Sequence, residues 1–255
     1  MCLILLAHRA HPLYRLVVAA NRDEFYARPT APAAFWTDAP HVLAGRDLQG
    51  GGTWMGVTRA GRFAAVTNYR EVAPPPPDAP SRGELPGGFL RGDQAPEAYL
   101  RSLEVRAGAY AGFNLLVGDG EALGYLSNRG GVARMLAPGV YGVSNALLDT
   151  PWPKVERGKA GLREVLAEGG EIDPDALLRL LAESEPAPDA LLPDTGVGRE
   201  RERVLSSLFI ASPGYGTRAS TVLLVRHDGR ARFVERTVTS DGRSEVAYDL
   251  EPGAE

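Results

Sequence analysis

Cysteine and lysine are almost missing from this 255-residue chain: there is one cysteine, Cys2, and there are two lysines, Lys154 and Lys159. A lone cysteine excludes an internal disulfide and leaves the cytosol as the expected compartment. Four widely spread histidines beside it give no zinc-ligand spacing, so no metal is expected. Long apolar runs are also absent. The opening Cys2-Leu-Ile-Leu-Leu-Ala7 run has six residues, has no basic segment before it and is followed at once by His8 and Arg9. A signal peptide needs a longer apolar core and a spanning helix needs about 20 apolar residues, so neither is expected. The net charge of −4 argues against nucleic acid or an anionic membrane as the main partner and leaves a small molecule as the expected one. The glycine-rich Gly45–Gly52 segment lacks Gly-Lys-Ser/Thr and does not link a strand to a helix, so no nucleotide cofactor is expected.

What is present is ordinary for a globular protein: 44% apolar and 24% charged residues, enough to bury a sizeable core. Strand-like runs at 2–7 and 16–20, joined by a turn over 8–15, predict an N-terminal hairpin. Further strands are predicted at 54–59, 62–68, 112–117, 122–126, 140–144, 203–211, 219–226 and 231–238. Helices are predicted at 95–103, 154–167 and 174–182. Pro96 and Pro174 fall in first turns, and Asp173 is placed to cap the last helix. A proline-rich loop is expected over about 73–88. Strands at both ends with helices between predict a single α+β domain over 1–255, with layered sheets and no internal repeat.

Cys2 follows the initiator methionine directly, and its small side chain permits removal of Met1. The mature chain would then begin with a thiol and an α-amine on one residue. With the amine titrating near ~7.7–8 and the thiol near ~8.5, the pair is both nucleophile and base. Cys2 is otherwise a small apolar residue opening a strand. The hairpin brings it beside Asn21-Arg22-Asp23-Glu24, where an aspartate would orient the ammonium and an arginine would lower the thiol pKa. Asn68 and Asn145 each end a strand and are candidate oxyanion donors or Asx-turn residues. Arg218 is a candidate carboxylate clamp or salt-bridge residue. Neighbouring residues on a strand point to opposite faces, so Arg22 and Asp23 are not both expected to aim at Cys2 unless the strand ends or bulges.

A series of motifs carries a resemblance. They are Met1-Cys-Leu-Ile4, Ala20-Asn-Arg-Asp-Glu-Phe25, Gly51-Gly-Thr-Trp-Met-Gly56, Asn68-Tyr-Arg70, Ser81-Arg-Gly83 and Gly112-Phe-Asn-Leu-Leu116. They continue as Ser127-Asn-Arg129, Tyr141-Gly-Val-Ser-Asn145, Leu192-Pro-Asp-Thr-Gly196 and Tyr215-Gly-Thr-Arg218. In this order they resemble the NRDE-motif family, also called the transport and Golgi organisation family, nearly end to end. That family in turn resembles the cysteine N-terminal nucleophile hydrolases, which include bile salt hydrolase and penicillin V acylase. The resemblance implies a four-layered αββα sandwich with Cys2 as nucleophile, Asp23 orienting its amine and Asn68 and Asn145 holding the oxyanion. It also implies supporting roles for Arg22 and Arg218, and substrate contacts from Asn21, Glu24, Trp54 and Tyr69. The activity implied is hydrolysis or acyl transfer at an amide or thioester. The alternative it implies is non-enzymatic trafficking of haem, lipid or acyl-CoA, with Cys2, His8 and His11 as conceivable haem ligands. Frequent Arg, Gly, Pro and Ala beside only two Lys suggest a GC-rich bacterial genome, as a matter of composition alone.

Overall fold

The computed structural model describes residues 2–74, 76–239 and 242–252. Met1, whose removal the N-terminal reading requires, lies outside the described residues. Strands β1 (Cys2–His8), β2 (Tyr14–Phe25), β3 (Thr30–Trp36), β4 (Ala39–Asp47), β5 (Met55–Thr58) and β6 (Phe63–Asn68) come first. Helices α1 (Glu84–Arg91) and α2 (Pro96–Glu104) follow, then β7 (Phe113–Gly118), β8 (Leu123–Ser127), β9 (Arg134–Met135) and β10 (Gly139–Val143). After α3 (Pro153–Ala167), α4 (Pro174–Leu181) and α5 (Arg199–Val204), the described chain ends in β11 (Ala211–Ser212), β12 (Tyr215–Arg226), β13 (Ala231–Thr239) and β14 (Gly242–Leu250).

The alternation of side chains along β1 explains the layers. Cys2, Ile4 and Leu6 point into a core shared with Leu43, Met55, Phe63 and Leu116, whereas Leu3, Leu5 and Ala7 point into a core shared with Leu162, Leu177 and Leu181. A strand buried on both faces reads as a continuous apolar run, and each fully buried leucine contributes about 2 kcal/mol over an exposed one. β1 belongs to an antiparallel sheet of order β10-β1-β2-β12-β13-β14, with β11 pairing to β12. The second sheet, β3-β4-β5-β6-β7-β8-β9, is also antiparallel and packs face to face on the first. Helices α1 and α2 cover its outer face through Leu85, Phe89, Leu90, Leu100 and Leu103, while α3 and α4 cover the first sheet. The order is α–β–β–α.

Several elements depart from the sequence reading. The loop expected over 73–88 already holds the start of α1, despite Pro86, Gly87 and Gly88. Burial of Leu85, Phe89 and Leu90 against Trp36, Val42 and Ala64 outweighs their poor propensity. The strand expected at 203–211 is instead the end of α5 and an irregular segment, because Glu202 turns inward to Arg70. The β3–β4 hairpin was not expected; Ala and Pro are weak strand formers, and Pro32 is accommodated on an edge strand beside a register shift. β14 was likewise unexpected. It is a polar edge strand held by cross-strand pairs from Arg232 to Asp249 and from Arg236 to Glu245. Among the described residues no helix is long and apolar enough to cross a membrane.

Candidate active site

Cys2 opens β1 opposite Arg22 of β2, and it is buried, with 7% of its surface exposed. At that end the two sheets part around a cavity of about 570 Å³ lined by Cys2, Arg22, Asp23, Glu24, Trp54, Asn68, Arg82, Arg218 and Glu235. The predicted hairpin is what brings Cys2 to the Asn21–Glu24 tetrad.

Strand β2 runs on past the tetrad, so its side chains alternate. Arg22 shares the inter-sheet face with Cys2, and Asp23 takes the helix-covered face, where Thr217 Oγ1 donates to its Oδ1 at 2.7 Å. No strand end separates them, yet both line the cavity because it opens at the edge where β1 begins. The bulge lies in β12, where Thr217 pairs with Asp23 and Ala219 with Arg22, leaving Arg218 as the extra residue. Arg218 Nη1 donates to the carbonyls of Phe25, Tyr26 and Arg28, and its Nη2 donates to Thr30 Oγ1. It clamps the β2–β3 turn at the cavity wall.

Asn68 lines the cavity at the end of β6. Asn145 stands one hydrogen bond behind it: its Nδ2 donates to the Asn68 carbonyl at 2.8 Å, its Oδ1 accepts from Ser144 Oγ, and Ser144 Oγ also lies 2.9 Å from the Cys2 carbonyl. Two expected substrate contacts are not on the cavity. Asn21 is fully buried on the helix face, where Nδ2 donates to the carbonyls of Leu181 and Leu208 and Oδ1 accepts from Ser220. Its amide fastens α4 to β2. Tyr69 passes beside the site with its N–H on the Gly112 carbonyl and does not reach the lining. Trp54 and Glu24 do line it. Cys2 and His8 sit at opposite ends of β1, about 20 Å apart by strand rise. The His11 ring accepts the Leu13 N–H in the turn beyond, so the three do not form one ligand set.

Three residues of the site escaped the sequence reading. Lys154, in the first turn of α3, is 1% exposed, and among the described residues its Nζ has no hydrogen-bond partner. Burial pushes its ammonium down, and the Asp23 carboxylate pulls it back up. Asp23 in turn is pushed up by burial, against the Lys154 charge and the Thr217 hydrogen bond. Glu235 is buried on the inward face of β13, accepting Ala33 N–H at 2.7 Å, and burial pushes its carboxyl up too. Arg82 comes from the segment before α1 and donates to the Gly112 carbonyl. Sequence signals did exist. Lys154 is one of two lysines and sits among apolar neighbours, Glu235 falls on the same alternation as Phe233, and Arg82 is central to the Ser81-Arg-Gly83 motif.

Burial pushes the Cys2 thiol above its ordinary value, the Asp23 carboxylate adds to this, and Arg22 opposes it. A thiol so placed stays protonated near neutrality and needs a base at the moment of attack.

The family model Transport and Golgi organisation 2 matches residues 1–240. The chain belongs to that family. It is 41% identical to the Transport and Golgi organization protein 2 homolog of Bos taurus and 38% identical to that of Homo sapiens, each match covering 93% of both chains. Among solved structures it is similar to a mutant of the conjugated bile acid hydrolase from Clostridium perfringens, with a TM-score of 0.53 at 11% identity over 100% of this chain and 95% of that one. The family member thus has the N-terminal nucleophile hydrolase fold.

Proposed function

We propose that the protein is a hydrolase or acyltransferase of amides or thioesters that works through Cys2 once Met1 is removed. The observation that carries this reading is the convergence of Cys2, Arg22, Asp23 and Asn68 on one cavity at the start of β1. A protonated thiol next to its own α-amine fits a general-base step. The amine takes the thiol proton as sulfur attacks the carbonyl carbon, and the C–S bond forms. Asp23 holds the resulting ammonium, with Lys154 behind it as counter-charge. The Asn68 amide donates to the oxyanion, and Asn145 fixes the Asn68 backbone. The ammonium then protonates the leaving amine or thiolate as its bond to carbon breaks. Water or an acceptor amine resolves the thioester.

The test is the intact mass of protein with an untagged N-terminus, before and after exposure to an activated acyl ester. The expected result is a chain lacking Met1 that gains one acyl group on Cys2, released by hydroxylamine, slowed in Asp23→Asn and absent in Cys2→Ala. Retention of Met1, or acylation equal in the Cys2→Ala variant, would refute the reading.

A further inference from the structure

Five arginines line the cavity with five acidic residues, but most of these charges are already engaged. Arg28 is paired with Asp47 at 2.8 Å, Arg46 with Asp38 at 2.5 Å, and Arg218 holds the turn carbonyls. On the acidic side Glu235 is hydrogen-bonded and pushed toward its neutral form, and Asp23 faces Thr217 and α3. Two guanidiniums remain. Arg22, 10% exposed, has Glu24 at 3.8 Å, beyond hydrogen-bond reach. Among the described residues Arg82 makes one hydrogen bond, Nη1 to the Gly112 carbonyl at 3.0 Å, and has no carboxylate within 4 Å. Each guanidinium carries five N–H donors in a planar fork.

The two enter from opposite walls. Arg22 comes from the sheet that holds Cys2, directly across from it. Arg82 comes from the segment that packs on the other sheet, and its position is built into the backbone. The Thr53 N–H donates to the Gly83 carbonyl, and a Cβ on Gly52 would lie 2.3 Å from Gly83 C and O. Only glycine at 52 lets the two segments touch, which holds Arg82 at the lining. Burial pushes the Arg82 guanidinium down, and the Cys2, Glu24 and Glu71 side chains oppose that shift.

We propose that Arg22 and Arg82 form an anion subsite beside Cys2 that takes a carboxylate of the substrate. The substrate class is then an amide or thioester carrying a carboxylate a short chain away from the bond that is cleaved. This rests on Cys2 as the nucleophile, and the test separates the two.

Cys2 is alkylated in the full chain with iodoacetate and with iodoacetamide, reagents of similar size that differ in charge, and the rates are read by intact mass against free cysteine. The thiolate fraction cancels in the ratio of the two rates. The expected ratio of iodoacetate to iodoacetamide exceeds that of free cysteine by about tenfold, the worth of one charge-assisted hydrogen bond. It falls toward the free-cysteine value in Arg82→Gln and at high salt, and Arg82→Lys recovers part of it. A ratio no higher than that of free cysteine, or one unchanged in Arg82→Gln, would overturn the subsite whatever the absolute rates. If Cys2 reacts with neither reagent the nucleophile reading fails by itself. Calorimetric titration with succinate then decides the subsite: binding lost in Arg82→Gln supports it, and no binding at millimolar concentration overturns it.

Discussion

Asn145 illustrates how one side chain sets the geometry of another. Its Nδ2 satisfies the carbonyl of Asn68, a cavity residue, and the Arg70 N–H donates to the Asn145 carbonyl. Asn145→Ala removes this donor from the Asn68 carbonyl in a part-buried place, at a cost of about 1 kcal/mol. The expected outcome is a lower urea midpoint together with slower acylation of Cys2, whereas Asn68→Ala slows acylation with little effect on the midpoint. Asn21, next to the site in sequence, acts in the opposite sense. Its three hydrogen bonds to Leu181, Leu208 and Ser220 make it part of the scaffold, so Asn21→Ala loses about 3 kcal/mol of stability. That loss is read by chemical denaturation. A tetrad of polar residues at a strand end marks a site in the sequence, but which of its members face the cavity depends on strand alternation and on what covers each face.

At the scale of elements, the segment 192–204 is fastened from inside. Glu202 of α5 pairs with Arg70 at 2.5 Å with both side chains nearly inaccessible, and Glu202 Oε1 also accepts from the N–H and hydroxyl of Thr195. The Arg70 guanidinium lies over the Trp152 ring at the start of α3, so this buried pair links α5, the Leu192-Pro-Asp-Thr-Gly196 motif and α3. Glu202→Ala removes the counter-charge and the acceptor together. The expected cost is about 3–5 kcal/mol, with proteolytic cleavage appearing first between residues 192 and 204. Limited proteolysis followed by mass mapping checks it. The helices over 96–104, 153–167 and 174–181 were legible from proline at the first turn and apolar spacing. Helix α1 was not, because its stability comes from the sheet it covers.

For the whole molecule, Glu235 is a charge-bearing group set between the two sheets. Its folded-state pKa is raised by burial, so its contribution to stability is complete below the ordinary carboxylate range and is lost as pH rises through the raised value. Glu235→Gln keeps the acceptor for the Ala33 N–H and carries no charge. The variant is therefore expected to match the parent near pH 4 and to exceed it in stability at neutral and higher pH. Urea unfolding at a series of pH values reads the difference, and a variant less stable than the parent at every pH would contradict the assignment. The buried acid is retained at a cavity that Arg22 shares, where it lies on the same face of the sheet.

Local pattern alone determined much of this protein. The apolar run of β1, the turn after it and the position of Cys2 behind Met1 together place the thiol beside Arg22 and Asp23, and the ordered motifs place the chain in its family. These are short-range consequences of side-chain period and turn chemistry. Only the tertiary structure decided that Arg22 and Asp23 line one cavity although their side chains take opposite faces, and that Asn145 supports Asn68 from behind. It also decided that Arg82 and Glu235 arrive at the cavity from the loop before α1 and from β13, and that Lys154 of α3 is buried behind it near Asp23. Those residues lie up to more than 200 positions from Cys2 in the chain. Their approach follows from packing two sheets face to face under their helices, which no local period encodes.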